Sequence, residues 1–383
     1  MKNKLLIVAS VLIIAVACIV IFQKSIDKTL IGNSDNSSPT KLEQNSYSKN
    51  PLKIILLIGD GMGINHTQIG RITMGGPDFN MAVDRMPIQG TVINHSYDSL
   101  NIDSAASATA WATGTSTINR YVGVDPAQRS VPNISEVLEE HGFLSGLVAT
   151  SSITHATPAA FYAHIDSRYE EEEIAEQLVN STISIALGGG KEFFDLDKLK
   201  DSARFISTKN SLLNMELGSS RVIGLFDDDG IYRSPNKPTQ LEMTNRAIKY
   251  LNEQTESCHG FFLMSEGSQI DWASHDNDAE KMIVEFEDFD NTIRSVMNFV
   301  TDDKETLLII TADHETGGLQ ILKQADDFVE VQWGTGRHTG IPVGVYAYGP
   351  GAHLFTGLMD NTDIHKKIMS LVNDSEPKNR ICK

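Results

Sequence analysis

Six short runs are apolar at nearly every position: residues 53–58, 146–149, 183–187, 261–264, 307–310 and 343–347. Runs this short, bounded by Gly or polar residues, predict strands covered on both faces, since a half-exposed strand would alternate. Between them, stretches such as 241–251 and 281–300 space their apolar residues as amphipathic helices do. This βαβ rhythm predicts right-handed crossovers and a central, mostly parallel sheet flanked by helices, a three-layer α/β sandwich.

A longer apolar run stands at the front. Residues 5–22 carry no charge, with Lys2 and Lys4 before them and Lys24 after. Its length is the low edge of a bilayer span and long for the core of a secretory leader. The segment 1–24 therefore reads as an uncleaved anchor, a signal peptide cut after Ala15-Val16-Ala17, or a leader lipidated at Cys18. Each version puts the rest of the chain outside the cytoplasm, membrane-anchored, periplasmic or extracellular. Residues 25–50 are rich in Ser, Asn, Lys and Thr and predict a flexible tether. Residues 51–374 suffice for one large α/β domain, and 375–383 form a tail.

Charge narrows the function classes. With 32 basic against 50 acidic residues, a formal −18, the chain lacks the basic tracts that nucleic acid requires. Its three cysteines, Cys18, Cys258 and Cys382, allow at most one bridge in the soluble part and match no zinc knuckle or CxxC pattern.

Several strands run into residues capable of chemistry. The first ends in Gly59-Asp60-Gly61-Met62-Gly63, the second leads to His155 and Thr157, and the fourth to Glu266 and Asp271. The fifth delivers Asp313 and His314. Open α/β sheets bind ligands beyond the carboxyl ends of their strands, so these groups should converge. Asp103-Ser104-Ala105-Ala106 opens a run of small residues that should be helical, with Gly114 placed to end it. Either Ser104 faces a phosphoryl group at the positive helix end, or Asp103 and Ser104 merely cap the helix. Asp271 and His275, four apart, share one helix face and can ligate one ion. His338 follows in Gly336-Arg337-His338-Thr339-Gly340. Mixed His and carboxylate sets suit zinc, and an all-oxygen set of Asp, Thr and Glu suits magnesium. Two zinc ions about 4 Å apart can hold both the attacking and the leaving oxygen of an in-line displacement. Arg168 offers a planar fork for phosphate oxygens, or else a surface ion pair with Glu170–Glu173.

Taken together these motifs resemble the alkaline phosphatase family. The resemblance is carried by Gly-Asp-Gly-Met-Gly at 59–63, Asp-Ser-Ala-Ala at 103–106 and Thr-Pro-Ala-Ala-Phe-Tyr-Ala-His at 157–164. It continues through Glu266 to His275, Thr-Ala-Asp-His-Glu at 311–315 and His-Thr-Gly at 338–340. It implies hydrolysis of phosphate monoesters in two displacements, with Ser104 as the phosphorylated nucleophile and Arg168 as the phosphate clamp. Two Zn2+ and one Mg2+ per chain are implied. Asp271, His275 and His338 would hold the first zinc; Asp60, Asp313 and His314, joined by Ser104, would hold the second. Asp60, Thr157 and Glu266 would hold magnesium. His155 and Trp272 resemble the marine-bacterial or animal-type pattern, which suggests a more alkaline optimum. A homodimer is common among relatives. Rival readings are a phosphodiesterase of the same superfamily, which generally uses a Thr nucleophile, and an exported phosphate-binding or metal-storage protein without catalysis.

Overall fold

The structure, a computed structural model, describes residues 26–32, 42–43, 50–218, 220–255, 258–325 and 327–373. The expected leader or anchor and the tail lie outside the described residues. In chain order the strands begin with β1 (Ile26–Leu30), β2 (Lys53–Gly59), β3 (Ile88–Ile93), β4 (Phe143–Ser152) and β5 (Ile185–Gly189). Next come β6 (Arg204–Ile206), β7 (Val222–Leu225), β8 (Gly260–Gly267), β9 (Thr306–Thr311) and β10 (Glu315–Thr316). The last are β11 (Leu319–Ala325), β12 (Phe328–Trp333), β13 (His338–Thr339), β14 (Val343–Tyr348) and β15 (Gly357–Asp360).

Ten of them form one sheet in the order β15-β3-β14-β9-β2-β8-β4-β5-β7-β6. Every neighbouring pair is parallel except those of β14, which runs antiparallel to β3 and β9. The six expected strands are β2, β4, β5, β8, β9 and β14. β2, β8 and β9 are buried at every position, as their unbroken apolar runs require. β3 escapes the pattern because Gly90 interrupts it. A Cβ there would lie 2.7 Å from the carbonyl oxygens of Gly357 and Phe355, so a side chain is excluded where the backbones approach.

The two expected helices extend to Gln240–Gln254 and Ala279–Asp303. The first starts at a capping box. Thr239 Oγ1 accepts from Glu242 N at 3.2 Å, and the Glu242 carboxylate accepts from Thr239 N at 3.0 Å. Its Met243, Ala247, Ile248 and Leu251 are buried in the layer that both helices form against β8 and its neighbours.

The tether expected over 25–50 gives way at its start to β1. This strand adds antiparallel to β12, in a small sheet ordered β1-β12-β11. An open strand edge supplies main-chain hydrogen bonds that a polar segment can use without an apolar face of its own. Lys28 also pairs with Glu330 at 3.3 Å, and Asp27 accepts from Ala279 N at 3.2 Å.

Candidate active site

β9, β2, β8 and β4 are adjacent in the sheet, and their carboxyl ends deliver Asp313, Asp60, Glu266 and the 155–157 segment to one place. Three groups of side chains bring their ligating atoms within 4.8 Å of one another: Asp271, His275 and His338; Asp60, Asp313 and His314; Asp60, His155 and Glu266.

In the first group, Asp271 and His275 lie on one short helix, Gln269–His275, with His275 Nε2 3.3 Å from Asp271 Oδ2. His275 Nδ1 meets the Gly336 carbonyl at 2.8 Å, and His338 Nδ1 meets that of Ile102 at 2.8 Å. A carbonyl can only accept, so both Nδ1 atoms carry the proton and both Nε2 atoms offer lone pairs. Those Nε2 atoms stand 3.1 Å apart. Two acceptors so close, with a carboxylate beside them, match one cation between them.

The second group is fully buried. His314 Nε2 lies 3.0 Å from Asp313 Oδ2 and 3.7 Å from Asp60 Oδ1. Gly61 N donates to Asp313 Oδ1 at 2.9 Å, which fixes the turn that presents Asp60. In the third group, Ser268 Oγ donates to Glu266 Oε2 at 2.7 Å, and the buried Thr157 hydroxyl lies beside Glu266. The His155 ring stands edge-on to Trp272, 5.9 Å between centroids.

Electrostatics mark the cluster as built for cations. Both oxygens of Asp60 and Oε1 of Glu266 are buried with no hydrogen-bond donor among the described residues. Burial, reinforced by Asp313, Asp271 and Glu266, pushes Asp60 well above the usual carboxylate range. Burial likewise lifts Glu266 to about 7. At Asp271 burial is outweighed by the neighbouring imidazoles of His275 and His314, and its carboxyl is held below the usual range. Where a proton stands in for a cation on His275 Nε2, the Asp271 carboxylate holds it there and raises that group to about 9, while burial and His314 bring His338 down to about 4. Anionic oxygens stranded in an apolar interior are strongly disfavoured unless cations meet them, and the donor sets fit such ions.

The Ser104–Thr113 helix resolves the capping question. Asp103 takes the cap, accepting from Ala106 N at 3.0 Å, and Gly114 ends the helix in the left-handed conformation. Ser104 is therefore the first helical residue with its hydroxyl spared. Its Oγ lies 3.3 Å from His314 Nε2. Arg168 is no surface ion pair with the 170–173 carboxylates. Its Nη1 donates to Asp103 Oδ2 at 3.2 Å and its Nη2 meets His155 Nε2 at 2.8 Å, which aims the fork at the Ser104 end of the helix.

A family model described as alkaline phosphatase matches residues 49–329 and 323–373. The chain belongs to the alkaline phosphatase family. Alkaline phosphatase 3 of Bacillus subtilis (strain 168) is 34% identical over an alignment covering 82% of this chain and 87% of that protein. The solved alkaline phosphatase of the Antarctic bacterium TAB5 superposes with a TM-score of 0.76 at 32% identity. It covers 86% of this chain and 99% of that one. A mutant of that enzyme, solved with Mg bound in its M3 site, superposes at 0.75 with 31% identity, covering 86% and 99%.

In this alkaline phosphatase two residues outside the sequence motifs' expected ligands, Thr316 and Glu315, also join the cluster. Thr316 Oγ1 donates to Asp271 Oδ1 and faces His314 Nδ1 at 3.2 Å, joining the first and second groups. The buried carboxylate of Glu315 accepts from Thr339 Oγ1 and from the N–H groups of Gly318 and Leu319. It thereby braces β10 against β13, where Thr316 pairs with His338. Thr316 directly follows the 311–315 motif, so a search for hydroxyls two residues beyond His314 would have found it.

Proposed function

We propose that Ser104 is the nucleophile through which this alkaline phosphatase hydrolyses phosphate monoesters, with Arg168 gripping the phosphate. Metal-dependent release of phosphate from monoesters is the chain's reaction class; the residue roles that follow are our reading. The observation that carries it is the Ser104 hydroxyl, placed at a helix N-terminus and 3.3 Å from His314 among three groups of side chains able to hold cations.

Asp271, His275 and His338 would hold one Zn2+, and Asp60, Asp313 and His314 a second that Ser104 joins. Asp60, Glu266 and Thr157 would hold Mg2+, with His155 beside them; magnesium bound in a His-to-Asp mutant of the Antarctic relative supports the choice of ion. When bound, these cations supply charge that favours an ionised serine oxygen and a departing alkoxide. The helix N-terminus and the planar fork of Arg168 hold the phosphoryl oxygens in line with Ser104 Oγ. Oγ forms a bond to phosphorus as the phosphorus–oxygen bond of the ester breaks and the alcohol departs. Water then attacks the phosphoserine, releasing inorganic phosphate and restoring Ser104; an acceptor alcohol in place of water gives phosphate transfer as a side reaction.

Export is part of the same proposal. The residue pattern at 1–24 supports it, as does the disulfide-bonded state of Cys258, which suits an oxidising compartment. Membrane attachment through that segment and a homodimer rest on the sequence pattern and the family resemblance.

The deciding experiment compares p-nitrophenyl phosphate with its bis-ester, with and without chelator, alongside zinc and magnesium analysis. Faster turnover of the monoester, lost with the metals, is expected. A faster diester would transfer the assignment to a phosphodiesterase.

A further inference from the structure

We infer that Arg120 and Tyr169 form a subsite at the mouth of the active site that takes an aromatic group on the leaving alcohol of the ester. The inference builds on the reading that Ser104 and Arg168 handle the phosphate.

Arg120 has a φ of 78°, in the left-handed region that long side chains seldom occupy. Its backbone is fastened on both sides to that phosphate machinery. Arg120 N donates to Asp103 Oδ2 at 3.0 Å, and Arg120 O accepts from Arg168 N at 2.9 Å. Asn119 next to it is tied down as well: its Oδ1 accepts from Asp103 N at 3.0 Å, and its Nδ2 donates to the Asn101 carbonyl at 2.9 Å. Strained residues persist where surrounding contacts over-determine them, and they gather at ligand sites.

The side chain is turned to solvent. Arg120 is exposed, and its guanidinium lies 5.7 Å from the ring centre of Tyr169, which is 66% exposed. Among the described residues no carboxylate pairs with that guanidinium, although the chain carries a net charge of −18. Arg168, by contrast, is taken up by Asp103 and His155. The loop does not need the contact between Arg120 and Tyr169 to hold its shape, because its backbone hydrogen bonds already do so. What the pair adds is a flat cation and a flat ring, both open to solvent beside the phosphate clamp. Guanidinium and phenol faces stack on other rings with little regard to their identity, so the class recognised is nucleoside monophosphates and aryl phosphates.

The test uses the metal-loaded full chain, adenosine 5′-phosphate, glycerol 2-phosphate, and inorganic phosphate as inhibitor. Arg120→Gly removes the side chain while readily adopting the same positive φ, and Tyr169→Ala removes the ring. Each variant should lower the ratio of kcat/KM for the nucleotide to that for the glycerol ester by roughly three- to tenfold, through KM. Inhibition by phosphate should stay as in wild type. An unchanged ratio would overturn the subsite. So would a parallel loss on both esters together with weaker phosphate inhibition, which would mean that the loop merely positions Asp103 and Arg168. Wild-type protein that turned over neither ester would bring down the functional reading and the subsite with it.

Discussion

Gly61 offers a direct measure of how tightly the cation site is packed. It sits at φ +71°, and a Cβ there would lie 2.8 Å from Asp271 Oδ1, 2.9 Å from Asp271 Cα and 2.9 Å from Thr316 Oγ1. None of these atoms can withdraw freely. The Thr316 hydroxyl donates to Asp271, Thr316 N donates to Gly61 O at 3.1 Å, and Gly61 N is held by Asp313 at 2.9 Å. Forcing an L-residue into the left-handed region costs about 1–2 kcal/mol, and overpacking a filled interior adds about 1–3 kcal/mol. Gly61→Ala should therefore lose about 2–5 kcal/mol in urea unfolding with zinc and magnesium in excess. Because Asp271 is one of the displaced groups, part of that loss should appear as weaker metal retention, tenfold for each ~1.4 kcal/mol. Zinc content after gel filtration reports it. Gly218→Ala is the control: among the described residues nothing lies within 4 Å of its Cβ, so the change should stay within about 0.5 kcal/mol. If Gly61→Ala unfolded at the same urea concentration as wild type and kept its full zinc, the packing argument would be wrong.

Three further outcomes are expected. Ser104→Ala should abolish monoester turnover yet shift unfolding by less than about 1 kcal/mol, because Asp103 and not Ser104 caps the helix; residual turnover near wild type would exclude Ser104 as nucleophile. Arg168→Lys keeps the charge but loses the fork, so the inhibition constant for phosphate should rise about tenfold or more; an unchanged constant would leave Arg168 outside the phosphate site. At His164, burial opposes protonation, but the 3.0 Å bond to Glu136 and the Gly123 carbonyl outweigh it and raise its pKa. At Glu136 the His164 bond likewise overcomes burial and lowers the pKa. A raised histidine stabilises fully below its unfolded pKa of about 6.5 and loses that effect as pH climbs through the folded value. His164→Gln should thus destabilise more at pH ~5.5 than at pH ~9 in urea unfolding, and equal losses at both would refute the ion pair.

The sequence by itself determined six of the ten strands of the main sheet and the chemical character of the residues at their ends. Unbroken apolar runs such as 53–58 and 307–310 can only be satisfied by burial on both faces, and a polar group placed just past such a run must emerge at the sheet's edge. That is why the sequence alone brings Asp60, Asp313 and His314 to one edge of the sheet, and the helical spacing of Asp271 and His275 puts those two on one face. Other features depend on partners far away in the chain. The 26–30 segment becomes β1 because β12, some three hundred residues later, leaves an edge open. Arg168 reads as a surface charge until Asp103 and His155 close on it from two other segments. Thr316 and Glu315 gain their roles only when β10 lies against β13 and brings His338 beside Asp271. Local pattern encodes burial and spacing, whereas hydrogen bonds between remote segments exist only after the chain has closed on itself, so the contacts that brace this site belong to the tertiary structure alone.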